Sequence, residues 1–338
     1  MEAVGAVMAR VSRSRPALLG TGYSRVNVFF AFAGGGGYYL APPDGPIRQP
    51  PMSSKTPTIE ALRREIDEID DAMHDLIMRR AEVVRKIAQT KASDRPIFRP
   101  GREAEILRRL AARHRGPFPV TALARVWREL ISAYTRLQGP FAVAVFAPEE
   151  SRGYWDIARD HYGSFTPMQA VNSPVGVLRA LADGSAQVGV VPWPEEDEND
   201  PWWRYLLSED AKSPRIVARL PFCGTGNGRI ENGDALAVAC VPFEPTGDDH
   251  TLLGLELAGD VSRGRLKDML EASGLQASQY RTYHLPGGGS VHLVEVESFV
   301  DGADPRLGVL AQRLGDALVR CVPVGVYATP LAADHRRG

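Results

Sequence analysis

The sequence predicts a multidomain chain in which an all-helical (all-α) domain is followed by an α/β domain and then by an α+β domain. Three observations carry this prediction. Apolar residues between positions 59 and 138 recur at steps of three and four, which is the helical period. After Pro140, short apolar runs alternate with helical segments, as in a sheet flanked by helices. From Thr251 the order becomes strand, helix, strand, strand, helix, strand, which is the ferredoxin-like order.

The expected domain boundaries follow the breaks in these patterns. The first 52 residues mix Gly, Pro, Arg and aromatic residues without periodicity, so we expect a disordered extension there, with Met52 as an alternative start. The expected units are therefore an extension at 1–52, the helical domain at 53–139, the α/β domain at 140–248, the α+β domain at 249–330 and a disordered tail at 331–338.

Composition excludes several classes of function. Lys and Arg number 40 against 41 Asp and Glu, so no bulk positive charge points to nucleic acid or to a membrane surface. No run approaches the roughly 20 apolar residues that a membrane span needs. Cys223, Cys240 and Cys321 show neither metal-ligand nor disulfide spacing. We expect them to be buried thiols in a reducing compartment, which favours a cytoplasmic protein. We expect neither a metal nor another cofactor.

The first predicted helix runs from Ile59 to Lys91 and carries the most information about function. Its register places Arg80 within the apolar stripe, where a guanidinium is costly unless something anionic meets it. Lys91 lies on the same face as Arg80, and Arg63 lies near the other end of the helix. The apolar stripe, which the helical period predicts to be buried, consists of Ile59, Leu62, Ile66, Ile69, Met73, Leu76, Val83 and Ile87.

The length of this helix constrains how its cations can cooperate. Arg63 and Lys91 are 28 residues apart (91 − 63), which corresponds to about 42 Å along a helix. No small molecule bridges that distance, so one site could use both cations only if two chains contribute to it. A helix this long also exceeds what one small bundle can bury. We therefore expect an intertwined homodimer with anion-binding pockets between the protomers.

Two further predicted helices complete the candidate site. The second starts near Arg102 and Glu103, and the third runs from about Val120 to Gln138. A set of Arg and Lys side chains without a nucleophile suits a small dianion, on which it can act by positioning and electrostatics. Each residue alone also has an ordinary surface interpretation, and the combination is more specific than any member. The candidate site residues are Arg63, Arg80, Lys91, Arg102, Glu103 and Gln138.

Three segments of the helical region resemble the all-helical chorismate mutases. They read LRREIDEIDDAMHDLIMRRAEVVRKIAQTK, RPIFRPGREAEILRRL and VWRELISAYTRLQ, and the resemblance spans about residues 59–138. The similarity is closest to the mutase domain of the bifunctional chorismate mutase–prephenate dehydratases. It implies the Claisen rearrangement of chorismate to prephenate in aromatic amino acid biosynthesis, by an intertwined dimer of three-helix domains.

The resemblance also implies roles for the candidate residues. Arg63, given to the partner's site, and Arg80, within the chain's own site, would hold the substrate carboxylates. Lys91 and Gln138 would meet the ether oxygen, on which negative charge builds as the C–O bond breaks. Glu103, next to Arg102 at the start of the second helix, would face the substrate hydroxyl.

Two residues depart from the pattern of this family. Arg99 stands where the best-known member has an aspartate. Tyr134 stands where that member has a serine near a substrate carboxylate.

The second half of the chain resembles prephenate dehydratases only faintly. VAVFAPEESRGYWDIARDHYG and VGVVPWPEE are similar to two of their segments, but the triplet that carries their catalytic threonine falls at Asp234-Ala235-Leu236. The last region resembles an amino-acid-binding ACT domain whose binding motifs are replaced by residues 264–266 and 281–284. The resemblance implies a degenerate dehydratase-like scaffold that is expected to be non-catalytic.

Two other functions stay open at the level of sequence. The chain could be a bifunctional chorismate mutase–prephenate dehydratase with an altered active site, against which the triplet at 234–236 argues. It could also be a regulatory or ligand-sensing protein with a vestigial mutase site. The presence of all six candidate residues argues against such decay.

Overall fold

The computed structural model describes residues 57–90, 96–196, 198–210, 212–224, 233–259 and 261–332. The predicted N-terminal extension, Lys91 and most of the predicted C-terminal tail lie outside the described residues.

Three helices form the N-terminal part, as the apolar periodicity predicts. They are α1 (Ile59–Thr90), α2 (Pro100–Arg113) and α3 (Val120–Arg136). The helix α2 begins two residues earlier than predicted, since Pro100 occupies its first turn, where a missing N–H costs nothing. The helix α3 ends at Arg136 instead of Gln138, and the backbone N–H of Gln138 bonds the Thr135 carbonyl at 3.0 Å.

Helix α1 projects its apolar stripe away from the rest of the chain. The eight stripe residues are between 43% and 63% exposed, and none of the helix is buried. The expectation of a buried stripe is therefore wrong for a single chain, because no other element in the described part of the chain covers it. The neighbouring side of the same helix contacts the body of the protein, and its half-buried residues are Ile77, Arg80, Ala81, Val84 and Ala88.

The rest of the chain, as far as the structure describes it, forms one nine-stranded sheet with four α-helices. The strand order is β2-β1-β3-β5-β4-β9-β6-β8-β7. The strands are β1 (Val143–Phe146), β2 (Met168–Val171), β3 (Val188–Pro192), β4 (Arg215–Leu220), β5 (Ala235–Ala239), β6 (Asp249–Leu257), β7 (Ala277–His284), β8 (Ser290–Val296) and β9 (Leu318–Ala328). The helices are α4 (Gly153–Tyr162), α5 (Pro174–Ala182), α6 (Arg263–Ala272) and α7 (Pro305–Leu314).

The sheet has two parts that meet at β4 and β9. The strands β2, β1 and β3 are parallel, whereas β5 runs antiparallel to both β3 and β4. The order β9-β6-β8-β7 is antiparallel and confirms the ferredoxin-like arrangement predicted for the last region. The two parts pair through Ile216 and Gly325, and a side chain at Gly325 would collide with Ile216.

Both faces of the sheet are covered. Helix α5 and the segment Trp202–Leu206 pack on one face, where Trp202 and Trp203 are almost fully buried. Helices α4, α6 and α7 pack on the other face. This burial of both faces accounts for the continuous apolar runs seen in the sequence.

The cysteines differ from their predicted burial. None of the three is in a disulfide, but Cys240 is exposed, and Cys223 and Cys321 are only partly buried. The thiol of Cys240 is exposed because it directly follows the last residue of β5, where the chain leaves the sheet.

Candidate active site

Arg80 and Tyr134 form the centre of the candidate site. The Arg80 guanidinium carbon lies 4.2 Å from the centroid of the Tyr134 ring, within the range of a cation–π contact. The Tyr134 hydroxyl donates a hydrogen bond to the carbonyl of Ile77 at 3.0 Å, one helical turn before Arg80. Tyr134 is only 5% exposed. The Tyr134 side chain therefore joins α3 to α1 next to the half-buried Arg80.

Gln138 belongs to the same cluster. Its side-chain amide donates to the carbonyl of Tyr134 at 3.3 Å, four residues earlier. The structure thus brings Arg80 and Gln138 to opposite ends of one tyrosine. The Nη1 atom of Arg80 is buried and has no hydrogen-bond partner among the described residues. A half-buried guanidinium whose Nη1 atom lacks a partner is suited to an incoming carboxylate.

Glu103 lies in a different environment, between α2, α3 and the sheet. It accepts a hydrogen bond from Nη1 of Arg128 at 2.8 Å, and both side chains are almost completely buried. The Arg128 guanidinium also lies 5.3 Å from the centroid of the Phe222 ring. Burial raises the pKa of the Glu103 carboxyl from its usual 4.5 to about 7, and the charge and hydrogen bond of Arg128 oppose this rise.

The other candidate residues are less engaged within one chain. Arg102 is exposed and pairs with Glu105 at 2.8 Å, one turn along α2. Arg63 is exposed on α1, 17 residues (80 − 63) or about 26 Å before Arg80. Lys91 lies outside the described residues, directly after the last residue of α1. Within a single chain, Arg80 and Gln138 therefore each contact Tyr134, whereas Arg63 lies far from Arg80 along α1.

The helical part is joined to the sheet by a series of polar contacts. Arg108 is the most connected of these residues, since it donates to the Thr246 hydroxyl at 2.7 Å and to the carbonyls of Asp248 and Thr329 at 2.6 and 2.9 Å. Further bonds join Arg99 to Glu244, Arg125 to Asp160, Glu129 to the Ser164 N–H, and Arg136 to the Phe165 carbonyl.

Close packing accompanies these contacts at the start of α2. A Cβ atom at Gly101 would lie 2.9 Å from the Cβ of Glu244, closer than such atoms approach one another. Gly101 thus lets the first turn of α2 approach the chain after β5. Arg99, which departs from the family pattern, pairs with the same Glu244 at 2.7 Å.

Sequence reasoning missed the buried Arg128. The apolar residues of α3 that recur at helical spacing are Leu123, Val126, Trp127, Leu130, Ile131 and Tyr134, whereas its buried residues also include Ala124, Arg128, Ser132 and Thr135. Small and polar residues give no apolar signal. The only available signal was the spacing of these four residues, which recur at steps of four, four and three along the helix.

The arrangement can bind anions and donate hydrogen bonds, and it offers no nucleophile. No group of His, Cys, Asp and Glu able to hold a metal ion occurs in the part of the chain that the structure describes. Over the same residues, no helix has both the length and the apolar character of a membrane span. The chemistry open to Arg80 and Gln138 is therefore the orientation and electrostatic stabilisation of a bound anion.

Comparison with known proteins identifies the helical part. A protein-family model described as chorismate mutase type II matches residues 62–139. This range contains α2, α3 and nearly all of α1, together with every candidate site residue. No curated protein matches the chain significantly.

Solved structures resemble the chain mainly over a little more than half of its length. A structure described as GqqA, a novel type of quorum-quenching acylase, has 14% identity and a TM-score of 0.42, and the match covers 58% of this chain and 98% of that one. A prephenate dehydratase from Streptococcus mutans has 14% identity and a TM-score of 0.39, with 56% and 97% covered. A prephenate dehydratase from Arthrobacter aurescens in complex with L-Phe has 12% identity and a TM-score of 0.40, with 57% and 93% covered. Likeness at this level carries no inference about activity.

The match to the family model agrees with the helical geometry and with the residues that led to the resemblance. The chain contains a chorismate mutase type II domain at residues 62–139.

Proposed function

We propose that this domain converts chorismate to prephenate by holding the reactive conformer and stabilising the charge that develops as the ether bond breaks. The observation that carries the proposal is the convergence of Arg80 and Gln138 on Tyr134 within the matched segment. Arg80 binds a substrate carboxylate, and Gln138 donates to the ether oxygen. Such donors bind the transition state more strongly than the ground state.

Lys91, Arg63, Arg102 and Glu103 complete the proposed site. Lys91 is assigned as the second donor to the ether oxygen, because it follows the C-terminal end of α1 beyond Arg80. Arg63 and Arg102 are assigned to anion binding. Glu103 is assigned to the substrate hydroxyl, and its bond to Arg128 engages Oε2, so this role rests on Oε1.

The active form is proposed to be a homodimer. The exposed stripe of α1 is a continuous apolar surface on a helix about 48 Å long, and surfaces of this kind mark association sites. A second copy is the occupant that fits, because Arg63 of one chain reaches the site of Arg80 only if it comes from another chain. One antiparallel α1 pair would bury both stripes and complete two sites.

The C-terminal half is proposed to be non-catalytic and to support the helices of the mutase domain. Ala235 and Leu236 are fully buried in β5, and the Asp234 carboxylate is paired with Arg219 at 2.5 Å. This triplet therefore presents no hydroxyl where the resemblance would require one. The contacts of Arg108 and its neighbours give the half a structural role instead. The free thiols suit a reducing compartment, and the cytoplasm is the proposed location.

A two-stage assay on the purified full-length chain tests the proposal. Loss of chorismate absorbance with formation of prephenate is expected, and its absence would favour a vestigial mutase site. Prephenate should then accumulate without conversion to phenylpyruvate. Appreciable phenylpyruvate would show that the C-terminal half is a working dehydratase.

A further inference from the structure

Tyr134 makes specific contacts in the candidate site in addition to filling space between α1 and α3. Three separate groups of this one residue are engaged: the ring lies under the Arg80 guanidinium, the hydroxyl donates to Ile77, and the backbone carbonyl accepts from Gln138. Two of these three contacts are to α1 and the third is to a proposed catalytic side chain. The residue is almost fully buried, so each contact is shielded from water.

The contacts of Tyr134 orient Arg80. The guanidinium carbon lies over the ring at 4.2 Å from its centroid, so cation–π attraction holds the guanidinium against this face of the ring. The ring in turn cannot rotate out of place while its hydroxyl is bonded to the Ile77 carbonyl one turn earlier on α1. The guanidinium is therefore held with Nη1 buried and without a hydrogen-bond partner among the described residues.

We propose that Tyr134 is a positioning residue for the mutase reaction, which holds the Arg80 guanidinium so that Nη1 meets a carboxylate of the substrate. This inference rests on the proposed function of the domain. The substrate carboxylate keeps its charge throughout the rearrangement, so an arginine that binds it acts on the ground state and the transition state alike. Misplacing that arginine raises KM, with a smaller effect on kcat.

The test is a double-mutant cycle in the full-length chain, measured as kcat and KM for chorismate. Tyr134→Leu removes the ring and should raise KM about tenfold, a factor within the range of a cation–π contact. In an Arg80→Ala background the same substitution should change KM by less than about twofold, because the interaction is already gone. If Tyr134→Leu only unfolded a fraction of the protein, the apparent kcat would fall and KM would stay unchanged.

A conservative variant keeps the test decisive even if Tyr134→Leu does not fold. Tyr134→Phe preserves the ring and the volume and should keep KM within about threefold of the parent, because the stacking remains. A KM more than about tenfold above the parent in this variant would overturn the assignment of the ring.

A matched control exists in the C-terminal half. Tyr280 is also buried and has the guanidinium of Arg263 at 5.2 Å from its ring centroid. Tyr280→Leu should leave the KM for chorismate unchanged.

The outcomes separate this inference from the function on which it rests. No turnover by the parent protein would overturn both. If the parent turns over chorismate but Tyr134→Leu leaves KM unchanged, only the role of Tyr134 is overturned. The same holds if Tyr134→Leu raises KM equally in the presence and absence of Arg80.

Discussion

Arg128 and Tyr134 lie on the same helix, six residues apart (134 − 128), and face different neighbours. Tyr134 contacts α1 and the proposed site, whereas Arg128 points into the junction with the sheet, where it bonds Glu103. Each carries a polar group within a buried surface: the Tyr134 hydroxyl donates to the Ile77 carbonyl, and the Arg128 guanidinium donates to Glu103. A buried polar group that loses its hydrogen-bond partner destabilises the folded protein, so these partners determine where each side chain lies.

The burial of Glu103 should make the stability of the protein depend on pH. Its pKa in the folded state, about 7, lies above its usual 4.5, so the folded protein binds more protons than the unfolded chain between these values. This stabilisation is present at low pH and is lost as pH rises through about 7. Between pH 5 and pH 8 the parent should lose on the order of 2 kcal/mol relative to Glu103→Gln, measured by urea unfolding.

A neighbouring carboxyl provides the control for this measurement. Glu105 is half-exposed on the same helix, and Glu105→Gln should show the pH dependence of the parent. If the stability of the parent relative to Glu103→Gln instead stays level or rises over this range, the folded pKa of Glu103 is not raised and the pair with Arg128 dominates.

Lys91→Ala should lower kcat by about two to four powers of ten, the loss expected when a preorganised donor to a developing oxyanion is removed. The measurement is chorismate turnover at saturating substrate. Lys86, which is exposed on the same helix, gives the matched control Lys86→Ala, with unchanged kcat. A Lys91→Ala enzyme within about fivefold of the parent would place the ether-oxygen donor elsewhere.

At the scale of elements, α1 has two sides with different roles. Ile77, Arg80 and Val84 contact the body of the same chain, and the apolar stripe next to them faces away from it. A single chain leaves this stripe in water, which is unfavourable for eight large apolar side chains. Association of two α1 helices removes that cost.

Substitution in the stripe should therefore dissociate the dimer. Ile69→Lys puts a charge in the middle of the apolar surface, and sedimentation velocity should show the mass of a monomer. Asp71, two residues along the chain and on the opposite side of α1, supplies the control Asp71→Lys, which should leave the dimer unchanged. If both variants sediment with the mass of a dimer, another surface holds the protomers together.

At the scale of the whole molecule, the sheet holds the mutase helices in place. Arg108→Ala removes three hydrogen bonds between α2 and the C-terminal half, so unfolding should become easier by on the order of 2 kcal/mol. The adjacent Arg109 is exposed, and Arg109→Ala should change the free energy of unfolding by less than about 0.5 kcal/mol. Equal effects in denaturant titrations would mean that the junction contributes little to stability.

A site shared between two chains, as proposed above, makes a prediction for mixed dimers. Arg63→Ala and Lys91→Ala chains are each expected to be nearly inactive alone. In an equal mixture half of the dimers are heterodimers, each with one complete site, so about one quarter of the parental turnover should return. Absence of recovery after subunit exchange has been verified by mass would show that the site is not shared between chains.

The sequence alone determined the type and order of nearly every element, because helical and strand periodicities report which face of an element is apolar. It also indicated candidate residues, since Arg80 interrupts an apolar stripe and Gln138 lies at the predicted end of the third helix. The family match at residues 62–139 confirms the identity of this domain.

Only the tertiary structure decided which of these residues meet. Arg80 and Gln138 are 58 residues apart (138 − 80) and meet through Tyr134, while Glu103 turns to Arg128 at the sheet. Periodicity shows that a face is apolar, but it does not show whether the same chain covers it, which is why the stripe of α1 was expected to be buried and is exposed. The physical reason is that contacts between distant segments depend on how whole elements pack, and that information is not contained in any local pattern.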